Sequence, residues 1–139
     1  MIWFFVSSLG KTTTSFLMDT PAFVTELIGV TFYCHLHKLF DDVLKDEPEV
    51  CARLKELLDE ITIDEMAHVG QRRNFVGPIG IKVSKWLVKP FYTMFFDDIP
   101  EVAQLFDVAQ MIKDGEGFDF NDMPAHMIEK SWIPSYCKV

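Results

Sequence analysis

The chain has few cysteines, no long apolar run and no surplus of positive charge, and each absence closes a class of function. Cys34, Cys51 and Cys137 are odd in number and show no Cys-x-x-Cys spacing. A disulfide framework is therefore not expected, and a reducing, cytoplasmic setting is the default. No uninterrupted apolar stretch reaches the length of a spanning helix; the nearest, Trp86 to Phe96, is broken by Lys89-Pro90. Met1 to Val6 is apolar but short and has no basic residues ahead of it, so it reads as neither a signal peptide nor an anchor. Thirteen basic against twenty-one acidic residues leave a net charge of −8. Nucleic acid and anionic membranes both require a basic face, so neither is expected as a partner.

What is present suits one helical domain. The chain has 139 residues, 49% of them hydrophobic, with thirteen phenylalanines, enough to build a core. Residues 1–19 are the hardest to place: Met1 to Val6 suits a short strand or a helix end. Ser7-Ser8-Leu9-Gly10-Lys11-Thr12 resembles the second half of a phosphate-binding loop. That pattern needs a glycine five residues before Gly10, where Phe5 stands, so nucleotide binding is kept only as an outlier.

The spacing predicts a helix beginning at Thr20-Pro21, with Thr20 as N-cap and Pro21 in the first turn. Its stripe runs through Phe23, Glu26, Leu27, Val30, Tyr33, Cys34, His37 and Leu44. Asp46-Glu47-Pro48-Glu49 reads as a break followed by a capping box. A second helix is predicted from Pro48 to about Asn74, its apolar ridge formed by Val50, Leu54, Leu57/Leu58 and Ile61. Continued along the same face, that ridge reaches Glu65 and His68. Gly77-Pro78-Ile79-Gly80 should turn the chain into a helix over 80–96, bent at Pro90. Shorter helices are expected from Asp97–Pro100 to Lys113 and around Pro124 to Lys130, with Trp132-Ile133-Pro134 closing the chain.

Two charged groups on an apolar ridge demand an explanation, because a buried carboxylate without a partner is costly. On the bland reading, Glu65 and His68 lie at the solvent edge of the helix and do nothing. A depth count favours something more specific. Glu26 lies 21 residues before Glu47, while Glu65 and His68 lie 18 and 21 residues after it. At about 1.5 Å per residue all three sit roughly 27–31 Å from the turn. With both stripes facing inward, an acid on one helix meets an acid and an imidazole on its antiparallel neighbour.

Asp64-Glu65-Met66-Ala67-His68, with Glu26 on the preceding helix, resembles half of a ferritin-like di-iron carboxylate site. The resemblance covers residues 20–75 and implies an all-α fold: a ferritin-like antiparallel hairpin, half of a four-helix bundle, with residues 78–139 as accessory C-terminal helices. It implies Glu26, Glu65 and His68 as metal ligands. Asp64 stands where members of the family carry an acid that orients an imidazole. Iron, or manganese, is the implied metal, and an oxidoreductase or oxygenase acting on a small molecule the implied activity. The departure is a missing second Glu-x-x-His: His35, His37 and His126 have no Glu three residues before them. A homodimer would complete the site; the chain is otherwise a piece of a longer protein, or a scaffold whose site has decayed. The alternative function is a non-catalytic helical interaction module presenting its Phe-rich 80–96 helix.

Overall fold

The computed structural model describes the backbone of residues 2–131 and the side chains of residues 18–131. Every regular element among them is helical: α1 (Ile2–Val43), α2 (Pro48–Asp97), α3 (Pro100–Ala103), α4 (Val108–Glu116), a 3-10 turn (Phe120–Asp122) and α5 (Ala125–Lys130). No helix among the described residues is long and apolar enough to cross a membrane.

The first helix departs from expectation at its start. Thr20 is not an N-cap, because α1 runs unbroken through Pro21. A proline inside a helix removes one backbone hydrogen bond and costs about 3 kcal/mol. Packing in the two turns that follow offsets part of the loss: Phe23, Val24, Leu27 and Ile28 are all buried. The Thr25 hydroxyl donates to the Pro21 carbonyl at 3.0 Å. Ser7 to Thr12 are helical in backbone, so no phosphate-binding loop forms there, nor does Met1–Val6 supply a strand over its described residues. Trp132-Ile133-Pro134 and Cys137 lie outside the described residues.

Leu44 to Glu47 close the connection, and Glu47, not Asp46, stands at the N-cap of α2 without a side-chain capping bond. Cross-links then descend α1 as they ascend α2. Asp41 meets Lys55 at 2.6 Å, His37 meets Asp59 at 3.5 Å, Glu26 meets His68 at 3.8 Å and Asp19 meets Arg72 at 3.7 Å. Such an order requires α1 and the part of α2 before Gly77 to be antiparallel neighbours.

The expected turn after Asn74 is present: α2 is two helical limbs, and the chain reverses between them, since Gly29 lies against Glu65 of the first limb and Thr31 against Tyr92 of the second. Gly77 adopts φ +66°, ψ 177°, a conformation open to glycine, and Pro78 holds its predecessor in extended ψ. Beyond it the second limb runs to Asp97 and packs back against α1. The stretch expected as one helix from Pro100 to Lys113 is two, α3 and α4. Asp107 caps α4 by accepting from the Gln110 amide at 3.0 Å. That cap restarts the helix after the Gln104–Phe106 turn.

Phe23, Val24, Leu27, Ile28 and Val30 of α1 pack with Met66, Val69, Val76, Val88, Tyr92 and Phe96 of α2. Met111 of α4 and Met127 of α5 join the same core. Phe32, Phe95, Phe96 and Phe106 form an edge-on aromatic cluster beside it. Tyr92 is fully buried and hydrogen-bonded to Thr31; burial, opposed by that bond, pushes its phenol up to about 12, so it stays neutral. His35 reaches across to Asp114 at 2.8 Å and ties α1 to α4.

The tightest approach in the core is α4 on α2. A Cβ at Gly115 would stand 2.9 Å from Val88 Cγ1 and 3.2 Å from the Tyr92 ring. Gly115→Ala should therefore destabilise the protein by about 1–3 kcal/mol, more than its gain in helix propensity returns. Urea unfolding followed by circular dichroism checks this; an unchanged midpoint would contradict the packing.

Candidate metal centre

The depth count is realised in three dimensions. Glu26 of α1 and Glu65 and His68 of α2 each offer one ligand atom within 4.8 Å of the other two. His68 Nδ1 lies 3.5 Å from Glu65 Oε2 and 3.8 Å from Glu26 Oε2. The spacing of three within α2 sets Glu65 and His68 about one turn apart on one side. The antiparallel cross-links bring Glu26 to the same level.

The three converge at an edge of the helix pair, not in its interior. The side chains of Glu26 and Glu65 are 25% and 24% exposed, and that of His68 is 57% exposed. The ridge expected to face inward is responsible for the difference. Of its members only Leu58 is buried, whereas Val50, Leu54, Leu57 and Ile61 are 43%, 36%, 38% and 47% exposed. The inward line on α2 is Leu58, Thr62, Met66, Val69 and Val76. Leu57 and Leu58 differ by about 100° around the axis, and packing on α1 selected Leu58. Glu65 therefore lies between the buried line and the open one.

That position has an electrostatic cost. Burial raises the pKa of Glu26; a hydrogen bond with Glu65 and repulsion from its charge raise it further, while His68 and Arg72 act in the opposite direction. The Oε2 atom of Glu65 is buried and has no hydrogen-bond partner. Gly29, one turn beyond Glu26, leaves the space: a Cβ there would sit 3.9 Å from Glu65 Cδ and 4.0 Å from the Tyr33 ring. Tyr33 lies within the field of both acids, and burial followed by the charges of Glu65 and Glu26 raises its phenol.

The other sequence candidates fall elsewhere. Asp64 is exposed, one helical turn before the equally exposed His68. His37 pairs with Asp59 one level along the seam, so it does not join the three. A cleft of about 380 Å³ opens beside Tyr33, lined also by Cys34, His37, Thr62, Pro124 and Met127. Sequence reasoning passed over Arg72. Four residues beyond His68, it follows the same side of α2, pairs with Asp19 and helps hold the charge of Glu26. Its i+4 spacing from His68 was the available signal.

A transition-metal ion fits this donor set. Two carboxylates and an imidazole suit iron or manganese, and a cation would supply the buried Glu65 oxygen with its missing partner. Set against known proteins, the chain matches no family model, no curated protein and no solved structure.

Without metal, the carboxylate pair should weaken the fold. A folded-state pKa above the unfolded value means that the native state binds the Glu26 proton more tightly. Stability should therefore fall as pH rises from the ordinary carboxyl range through the raised one. Glu26→Gln removes that charge: in chelator it should melt about 1–3 °C above wild type at neutral pH and alongside it in acid. Thermal unfolding at both pH values checks this, and a Gln variant that melts lower at neutral pH would contradict it.

Proposed function

We propose that this chain binds iron or manganese through Glu26, Glu65 and His68, as half of a ferritin-like two-metal centre serving an oxidoreductase or oxygenase. The observation that carries the reading is the buried, unpartnered Oε2 of Glu65, 3.5 Å from an imidazole nitrogen and beside a second carboxylate. A native fold retains an orphaned acid oxygen at a cost of about 1–3 kcal/mol, and a bound cation removes that cost.

A two-metal centre of this kind supplies oxygen or peroxide activation. The chain's own residues would do the rest. Glu26 and Glu65 hold negative charge at one point, which a cation would neutralise. His68 supplies the nitrogen donor from the open side. Arg72, tethered by Asp19, limits the charge that collects beside the pair. The cleft beside Tyr33 is large enough for a small organic substrate, with Met123, Pro124 and Met127 as apolar walls and Lys38, Asp59 and His126 as polar ones. Three protein donors leave positions on the metal unfilled, and a homodimer would add a second set.

A second reading is a helical interaction module without metal. The exposure of Trp86 (80%) and Met94 (58%) on the 80–96 stretch favours it. Metal analysis separates the two. Protein prepared without chelators should carry about one iron or manganese per chain. Glu65→Ala and His68→Ala should each lower metal affinity at least tenfold with helical content unchanged. Equal metal in wild type and both variants would reject the site and leave the interaction module.

A further inference from the structure

The cleft beside Tyr33 has two unlike ends. Tyr33 and Thr62 line it at one level of the helix pair, and Glu65 follows Thr62 by about one turn on the same limb. His37, Lys38 and Asp59 line it about one turn the other way, toward the Leu44–Glu47 connection. Met123, Pro124 and Met127 wall it from the chain that leads into α5. Thr62 makes no polar demand on this space, because its hydroxyl donates to the Leu58 carbonyl at 2.7 Å. The volume, about 380 Å³, lies at the small end of the range for ligand pockets.

Charge separates the same two ends. At the Tyr33 end the acting charges are acids: burial raises the Tyr33 phenol, and Glu65 and Glu26 raise it further. That end repels an anion. At the other end Asp59 is already met by His37 at 3.5 Å, whereas Lys38 is exposed and pairs with no acid among the described residues. Its charge still reaches the cleft wall, where it opposes the effect of burial on the Cys34 thiol. Asp114, the other acid in its field, is taken by His35 at 2.8 Å and by Gln110 at 2.7 Å. An uncommitted ammonium beside apolar walls selects a ligand with one anionic and one apolar end.

We infer that this cleft binds a small amphiphilic carboxylate, its head group on Lys38 and its apolar end against Tyr33 and Thr62. A carboxylate turned the other way would leave Lys38 and approach Glu26 and Glu65. A cationic head group would face Lys38 and find Asp59 occupied by His37. The carbon end of the ligand, not its carboxylate, then lies on the side of the metal-binding acids. The head-group assignment stands on the cleft alone; what the apolar end meets rests on the metal reading.

Titration calorimetry of the full chain with octanoate, 1-octanol and octylamine, all in chelator, tests the head group. Octanoate should bind, and Lys38→Ala should weaken it about tenfold while 1-octanol changes little. Lys38→Glu should reverse the order, octylamine above octanoate, with the helical circular dichroism signal intact. Wild type that prefers octylamine, or that holds octanoate no better than Lys38→Glu does, would overturn the assignment. Proton NMR of octanoate with Mn(II)-loaded protein reads the direction: the methyl protons should broaden more than those beside the carboxylate. His68→Ala should lose Mn(II) and that difference, yet keep its octanoate affinity. Greater broadening beside the carboxylate would overturn the orientation. Wild type that takes up no Mn(II) would overturn the metal reading and the orientation together, and the calorimetry would still decide the cleft.

Discussion

Two carboxylates held at one level on facing helices repel each other and lose water together, and much of the molecule can be read as a response to that conflict. Glu26 and Glu65 share an imidazole neighbour in His68, and Arg72 lies one turn further along, itself held by Asp19. Gly29 keeps the space between them free of side chain, at the point where a methyl group would begin to touch both Glu65 and Tyr33. Placement at the edge of the helix pair limits the desolvation of both acids. It also leaves His68 directed to the side on which α2 is uncovered.

The remaining helices respond to a second constraint, the width of apolar surface on α2. One neighbouring helix can cover only a narrow stripe, and α1 covers Leu58, Thr62, Met66, Val69 and Val76. Val88 and Tyr92 are closed by α4 through Gly115, and the sulfur-containing side chains of Met111 and Met127 fill the irregular space that short helices leave. Val50, Leu54, Leu57 and Ile61 remain 36–47% exposed.

Much of the site was readable from spacing alone. Counting residues from the Leu44–Glu47 connection placed Glu26, Glu65 and His68 at one height, because the helical rise is nearly constant whatever the helix packs against. The Gly77-Pro78 break was readable too, since it follows from local φ/ψ restriction. Pro21 misled in the opposite direction. A proline after a threonine reads locally as a helix start, but the backbone of α1 is helical on both sides of Pro21.

By itself, then, the sequence determined the helical period, the breaks and the common level of the three ligand residues, all of which depend on bonds and neighbours along the chain. Only the tertiary structure decided the rotation of α2 about its own axis. Period relates residues of one helix to one another but carries no reference direction, so Leu57 and Leu58 were equal candidates for the inside. Packing against α1 chose Leu58, and the same choice turned the Val50–Ile61 ridge and His68 outward to an open face.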